Sequence, residues 1–118
     1  MSVPGVFKNA SERRTLGAGE VLFATGDSGD QMFGLISGRI ELRRNDQGLA
    51  EVLPGETFGE LAIIDDAPRS LTAVAMEASE VAIINRRTFL FLVHETPMFA
   101  IQVMQSLSQR IRQLDTKI

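Results

Sequence analysis

The sequence predicts a mainly β fold with flanking helices: an antiparallel β-roll of the double-stranded β-helix or jelly-roll type. Three observations support this prediction. Short apolar runs begin near Thr15 and are broken by turn residues every few positions. One run, from Arg39 to Arg43, alternates polar and apolar residues with the period of two expected of a half-buried strand. After Arg87 the apolar residues recur at spacings of three and four, which indicates helices.

The composition describes a single domain over residues 1–118, of which 44% are hydrophobic. A chain of this length can bury its own core without metal ions or cross-links. Its 15 acidic and 12 basic residues give a net charge of −3, which argues against direct nucleic-acid binding because such binding needs a concentrated positive face. The sequence has no cysteine, no signal-like N-terminus and no apolar run of membrane-spanning length. We therefore expect a cytoplasmic protein without a membrane partner.

The chain is expected to begin with an N-terminal segment, residues 1–14, that includes a short helix with Val6, Phe7 and Ala10 on its apolar face. The β-roll follows at 15–86. Apolar runs bounded by turn residues predict its main strands. These strands are 21–23, 32–36, 39–43, 50–53, 71–76 and 81–85. The Ser37-Gly38 pair fits a tight hairpin between the second and third strands, and the polar residues 45–48 close the next hairpin.

The C-terminal part, residues 87–118, is predicted to form two helices. The first covers 87–94, and Pro97 suits the first turn of the second. Apolar residues recur along this second helix at a/d-type spacing. They are Ala100, Met104, Leu107, Ile111, Leu114 and Ile118. The first half of this face is expected to pack on the β-roll, whereas the second half, from Ile111, is a candidate homodimer contact.

The stretch from Phe58 to Ala75 has the residue types of a small anion receptor. Gly59 has no Cβ to keep a ligand away from the main chain. A short helical turn over 60–64 would leave its first amides unpaired, and such amides favour a bound phosphate or carboxylate. Arg69 follows a proline turn, and its planar guanidinium matches two oxygens of one phosphate.

Glu60 lies beside this predicted anion site, where a carboxylate would repel the ligand unless it faced a hydrogen-bond donor. A sugar hydroxyl next to a phosphate is such a donor, so the combination with Arg69 favours a ribose phosphate. A Glu60–Arg69 ion pair in a surface loop explains the same two residues equally well when they are considered alone.

The whole run, Phe-Gly-Glu-Leu-Ala at 58–62 and Pro-Arg-Ser-x-Thr-Ala at 68–73, resembles the phosphate-binding cassette of the cyclic-nucleotide-binding domain family. This family includes catabolite activator protein, the regulatory subunits of cyclic-AMP-dependent kinase and cyclic-nucleotide-gated channels. The resemblance extends from Leu16 to about Arg112. It implies a β-roll with a short helix inside the cassette, which we define as residues 58–75.

The resemblance implies ligand-binding roles for residues of the cassette and of the last helix. The amides of 60–62 and the Arg69 side chain would hold the cyclic phosphate, and Glu60 would accept a hydrogen bond from the ribose 2′-hydroxyl. An arginine of the last helix, Arg110 or Arg112, would stack on or cap the base. The full predicted set is Phe58, Gly59, Glu60, Leu61, Ala62, Arg69, Ser70, Thr72 and Arg110.

The implied function is a sensor that binds a cyclic nucleotide and signals by movement of its C-terminal helix. Cyclic AMP is the expected ligand, because in this family a threonine after the cassette arginine goes with cyclic GMP and this chain has Ser70. A serine hydroxyl can still donate to guanine, so cyclic GMP is the second candidate. Where the catabolite activator offers a Thr-Ser pair to adenine, this chain has Leu114-Asp115, a departure that affects base recognition.

Three versions of the function stay open at this point. The chain is a stand-alone sensor that acts through an effector protein, the sensor fragment of a larger transcription regulator or channel, or a β-roll interaction or oligomerisation module with a vestigial cassette. Catabolite-activator-like regulators continue into a helix-turn-helix domain, whereas this sequence ends at Ile118. Its opening Met1 favours a complete small gene product.

The residue sets of common catalytic sites are absent from the sequence. His94 is the single histidine, so neither a histidine metal cluster nor a histidine-activated nucleophile can be assembled within one chain. The glycines at 55 and 59 are not followed by the Gly-Lys-Ser of a P-loop. We therefore predict a protein that is not an enzyme and uses no metal or cofactor besides its nucleotide ligand.

Overall fold

The computed structural model describes residues 12–117, and the side chains of residues 12–114. This range contains eight strands and three helices. In chain order they are β1 (Arg13–Leu16), β2 (Val21–Phe23), β3 (Gln31–Ser37), β4 (Ile40–Arg44), β5 (Gln47–Val52), β6 (Thr57–Phe58), α1 (Leu61–Ile64), β7 (Thr72–Ala75), β8 (Ser79–Asn85), α2 (Arg86–Glu95) and α3 (Met98–Lys117). The predicted N-terminal helix lies outside the described residues. Within them, no helix is long and apolar enough to cross a lipid bilayer.

The strands form two four-stranded sheets in which every described pair is antiparallel. One sheet has the order β1-β8-β3-β6 and the other has the order β2-β7-β4-β5. Each sheet combines strands from the beginning and the end of the β region, so the chain crosses repeatedly between the two sheets. The predicted β-roll with flanking helices is confirmed.

The hairpin predicted at Ser37-Gly38 is wrong. Its two flanking strands lie in different sheets, because β3 pairs with β6 and β8 whereas β4 pairs with β5 and β7. Gly38 has a φ of 94°, and a Cβ at this position would lie 2.1 Å from the Ser79 hydroxyl oxygen. The turn is therefore a corner between sheets that only glycine can occupy. The next hairpin is confirmed, with Asn45 and Asp46 at positive φ between β4 and β5.

Two observed strands are missing from the sequence-based prediction. β1 begins at Arg13, inside the predicted N-terminal segment, and only its last residue, Leu16, is buried. An edge strand with one buried residue shows no alternation that a sequence pattern could reveal. β6 consists of only Thr57 and Phe58, which is too short to produce a periodic signal.

The core is divided into two clusters of buried side chains. The first joins residues of both sheets, and the second joins β3 and β8 to the helices. β3 contributes to both, because Phe33 and Leu35 belong to the first cluster and Met32 to the second. A strand buried on both faces cannot show the simple alternation of a half-buried strand. Because β3 is buried on both faces, α2 and α3 pack against the sheet that contains β6, the strand that leads into the cassette.

The face of α3 that packs on the β-roll starts one residue earlier than predicted. Phe99 and Val103 are buried in the second cluster, whereas the predicted Met104 is 55% exposed. Leu107 and Leu114, which were also predicted, do pack against the core while half-buried. One residue corresponds to about 100° around a helix, so this shift turns Met104 toward solvent.

Candidate functional site

A cavity of about 310 Å³ is lined by the cassette and α3, and its volume lies within the range of small-molecule sites. We call its two main surfaces the cassette wall and the α3 wall. The cassette wall consists of Gly59, Glu60, Leu61, Ala62, Pro68, Arg69, Ser70 and Leu71. The α3 wall consists of Leu107, Arg110, Ile111 and Leu114. Phe23 of β2 and Leu42 of β4 complete the lining.

Arg69 is the buried cation of the cassette wall, with 8% of its surface exposed. Its Nη1 donates a hydrogen bond to the Gly59 carbonyl oxygen at 3.0 Å, and its Nη2 donates to the Gln31 carbonyl oxygen at 2.8 Å. Among the described residues, no carboxylate forms an ion pair with it. Burying a charge without a counter-charge is costly, so this guanidinium is suited to an anion brought by a ligand.

Aromatic side chains and burial define the electrostatics of Arg69. Its guanidinium carbon lies 4.3 Å from the centre of the Phe23 ring and 5.6 Å from that of the Phe33 ring, distances at which a cation is attracted to an aromatic face. Burial lowers the pKa of Arg69 from its ordinary value, and the negative charges of Asp27, Asp30 and Glu60 oppose this change. An anion bound beside the guanidinium would, like these carboxylates, raise the pKa of Arg69.

Gly59 allows the main chain to approach Arg69 closely. It has a φ of 77°, and a Cβ at this position would lie 3.0 Å from Arg69 Nη1. The turn that follows is α1, in which the amides of Ile63 and Ile64 donate to the Glu60 carbonyl oxygen. The preceding amides, 60–62, have no partner within such a turn. They start next to Arg69 and add partial positive charge to the same region.

Glu60 is 2% exposed and is held by residues other than Arg69. The Thr57 hydroxyl donates to Glu60 Oε1 at 2.8 Å, and Arg110 Nη1 lies 3.5 Å from the same oxygen. Both Glu60 and Arg69 are buried, so the alternative of an ion pair between them in a surface loop is wrong. The cassette wall therefore presents a cation and a carboxylate as two separate groups.

Arg110 lies in the α3 wall, but its guanidinium is engaged with the protein. Its Nη2 donates to the Thr57 carbonyl oxygen at 3.0 Å while Nη1 lies near Glu60. The other candidate for contact with a base, Arg112, is exposed, and its Nη1 donates to the Ser108 hydroxyl at 3.3 Å. The observed contacts of Arg110 link α3 to the cassette, and stacking on a base stays a prediction.

Comparison with known proteins identifies the family of this chain. A family model described as "Cyclic nucleotide-binding domain" matches residues 13–96. The chain belongs to the cyclic nucleotide-binding domain family. The matched range includes both sheets, the cassette and α2, and it ends before α3.

Individual relatives agree with this assignment. The chain is 33% identical over 112 residues to the cyclic AMP receptor protein of Thermus thermophilus, an alignment that covers 91% of this chain and 52% of the relative. A solved structure described as "A cyclic-GMP-dependent signalling pathway regulates bacterial phytopathogenesis" is 34% identical with a TM-score of 0.73, covering 86% of this chain and 85% of that one. Another, "Sp-2Cl-cAMPS bound to PKAR CBD2", is 25% identical with a TM-score of 0.74, covering 89% and 70%. The chain spans about half the length of the first curated relatives it matches.

The other predicted site residues of this cyclic nucleotide-binding domain differ in position. Ser70 lines the cavity and is exposed. Thr72 faces Thr25, whose amide donates to the Thr72 hydroxyl oxygen at 3.0 Å, and it is not part of the described cavity lining. Phe58 is fully buried, and its ring centre lies 5.5 Å from that of Phe33 and 6.2 Å from that of Phe23. Phe58 therefore supports the rings beside Arg69 and does not line the cavity.

Sequence reasoning missed the contributions of Thr57, Phe23 and Leu42. Thr57 immediately precedes the cassette and was assigned no role, although its spacing of three from Glu60 places the two side chains within reach of each other. Phe23 and Leu42 lie on strands that were predicted, but nothing in their local sequence indicates that these strands meet the cassette. Only the order of strands in the second sheet brings them to the cavity.

Proposed function

We propose that the chain is a sensor that binds a cyclic nucleotide in this cavity and does not transform it. The observation that carries the proposal is the buried guanidinium of Arg69, which has two carbonyl acceptors and no carboxylate partner among the described residues. A cyclic phosphate would supply the missing negative charge, and the free amides of 60–62 would share it. Glu60 would then accept a hydrogen bond from the ribose 2′-hydroxyl.

Cyclic AMP is the proposed ligand, with cyclic GMP as the second candidate. The cyclic AMP receptor protein of Thermus thermophilus is a relative, and Ser70 replaces the threonine that goes with cyclic GMP. The α3 wall is aliphatic apart from Arg110, whose hydrogen bond goes to the Thr57 carbonyl oxygen. Guanine carries a carbonyl oxygen and an amino group where adenine carries a single amino group, and desolvation of the additional polar group against leucine and isoleucine would be costly. An aliphatic wall therefore favours adenine.

Titration calorimetry of the whole chain tests this proposal directly. We expect one cyclic AMP per chain, weaker binding of cyclic GMP, and much weaker binding of adenosine because adenosine lacks the phosphate. If neither cyclic nucleotide binds, the result would favour the alternative of a β-roll interaction or oligomerisation module with a vestigial cassette. Equal binding of adenosine and cyclic AMP would remove the proposed role of Arg69.

The proposed signal is a movement of α3 that follows ligand binding. Arg110 contacts Glu60, the carboxylate that the ribose hydroxyl would also use, and Leu107 and Leu114 would contact the base. The ligand can shift α3 only if it makes different contacts in the two positions of the helix. Hydrogen exchange of the α3 amides should slow when cyclic AMP binds. Unchanged exchange throughout α3 at saturating nucleotide would contradict this mechanism.

We further propose that the chain forms a homodimer through the exposed face of α3. Ile111 is 59% exposed, and Met104 and Ile101 also expose much of their apolar surface along the same helix. Light scattering coupled to size exclusion should give a dimer mass for the parent and a monomer mass for Ile111→Glu. A monomeric parent would remove this proposal without affecting nucleotide binding.

We propose that the sensor acts through an effector protein. The net charge of −3 does not favour direct binding to nucleic acid. The chain covers about half the length of these longer relatives, so their activities are not transferred to it. The cytoplasmic location that we expect from the sequence stays a prediction.

A further inference from the structure

Three contacts form a closed ring around the Glu60 carboxylate. The Thr57 hydroxyl donates to Glu60 Oε1 at 2.8 Å, and Arg110 Nη1 lies 3.5 Å from that oxygen. Arg110 Nη2 then donates to the Thr57 carbonyl oxygen at 3.0 Å. Thr57 is only 3% exposed, so water cannot easily replace its hydroxyl in the ring.

Of the two side chains that contact Glu60, Thr57 makes the directional contact. Its distance of 2.8 Å is that of an ordinary O–H···O hydrogen bond, whereas the 3.5 Å from Arg110 Nη1 exceeds the usual range of an N–H···O hydrogen bond. Arg110 therefore supplies charge, and Thr57 determines which way the carboxylate points. Both contacts engage Oε1, and no hydrogen bond or ion pair to Oε2 is found within the described residues. Oε2 is thus the oxygen left for a ligand.

We propose that Thr57 is a positioning residue that orients Glu60 Oε2 toward the ribose 2′-hydroxyl, an inference that rests on the proposed function. Thr57 is not part of the described cavity lining, so it acts through Glu60. A glutamate side chain loses conformational freedom when it is ordered by a ligand. Thr57 orders the carboxylate before the ligand arrives, and preorganisation of this kind increases affinity.

The test compares cyclic AMP with 2′-deoxy cyclic AMP in variants at position 57. Thr57→Val keeps the shape of the side chain but removes the hydroxyl, and Thr57→Ser keeps the hydroxyl. We expect the preference of the parent for cyclic AMP over the deoxy analogue to fall roughly three- to tenfold in Thr57→Val and to be retained in Thr57→Ser. If Thr57 had only a structural role, its substitution would weaken the binding of both nucleotides equally.

Ser79→Ala is the matched control. Ser79 also has a buried hydroxyl, which donates to the Glu77 carbonyl oxygen at 2.8 Å, and it is not part of the described cavity lining. Its loss is expected to reduce stability and leave the preference for cyclic AMP unchanged. An unchanged preference in Thr57→Val, or an equal reduction in Ser79→Ala, would overturn the inference.

A second measurement separates failure of the inference from failure of the proposed function. If the parent binds neither nucleotide, the proposed function fails, and urea unfolding of Thr57→Val, Glu60→Ala and the double variant, in which each substitution removes the hydrogen bond, decides whether Thr57 orients Glu60. Coupling of about tenfold in the unfolding equilibrium constant would support the orienting contact, since a hydrogen bond to a charged group is of this size. Additive effects of the two substitutions would overturn it.

Discussion

The cassette wall and the α3 wall of the cavity differ in chemistry and in origin. The cassette wall comes from residues 59–71 and combines a buried cation with a carboxylate and free amides, whereas the α3 wall comes from residues 107–114 and is aliphatic apart from Arg110. Polar groups in a fixed loop suit the phosphate and sugar, which every ribonucleoside cyclic phosphate shares. An apolar helix face suits the base. We therefore expect the affinity for a cyclic nucleotide to depend mainly on the cassette wall, and the proposed response of α3 to depend on the base.

The largest expected effect comes from Arg69→Ala, which removes the cation of the cassette wall. Loss of charged hydrogen bonds to the phosphate should weaken cyclic AMP binding by about 1.5–3 kcal/mol, or roughly 10- to 150-fold in Kd. Arg87→Ala is the control, because Arg87 is an exposed arginine of α2 that is not part of the described cavity lining. Calorimetric titration measures both variants. Parent-like affinity in Arg69→Ala would contradict the role of the cassette wall.

A smaller and more selective effect is expected from Glu60→Gln. The neutral amide accepts a hydrogen bond less strongly than a carboxylate, so binding of ribonucleotides should weaken by about 1 kcal/mol more than binding of 2′-deoxy analogues. Competition between each unlabelled nucleotide and fluorescent cyclic AMP measures the difference. Equal losses for the two sugars would show that Glu60 does not contact the 2′-hydroxyl.

An effect of similar size, but without selectivity for the sugar, is expected from Leu114→Ala in the α3 wall. Leu114 is half-buried, so only part of its side chain can contact a base. We expect a loss of about 1 kcal/mol, roughly fivefold in Kd, that is the same for cyclic AMP and its 2′-deoxy analogue. Leu53→Ala serves as the control, since Leu53 is half exposed and is not part of the described cavity lining. A loss in Leu114→Ala as large as that in Arg69→Ala would contradict the expectation that affinity depends mainly on the cassette wall.

The cassette wall could be predicted from the sequence because its residues are close together in the chain. The structure places Gly59, Glu60, Arg69 and Ser70 in one cavity, as the resemblance implied. Their local geometry depends on a glycine with positive φ and a one-turn helix, both of which leave a signal in adjacent residues. The β-roll could be predicted for a similar reason, since the turn residues and short apolar runs are local features.

The α3 wall could not be predicted to the same extent. Its periodic pattern allowed two helix faces one residue apart, and only the contact with β3 and β8 selects the face with Phe99 and Val103. The link from Arg110 to Thr57 joins residues 53 positions apart, a separation at which sequence spacing carries no geometric information. The corner between sheets at Gly38 could not be distinguished from a hairpin for a related reason. A tight turn has the same residue types in a hairpin and at such a corner.

A crystal structure of the whole chain with cyclic AMP would test the central claim most directly. We predict that the cyclic phosphate lies within hydrogen-bond distance of the Arg69 guanidinium and of at least one amide of 60–62, with the ribose 2′-hydroxyl at Glu60 and the base against Leu107 and Leu114. Cyclic AMP bound elsewhere, or a cavity that stays empty at a saturating concentration, would contradict the account.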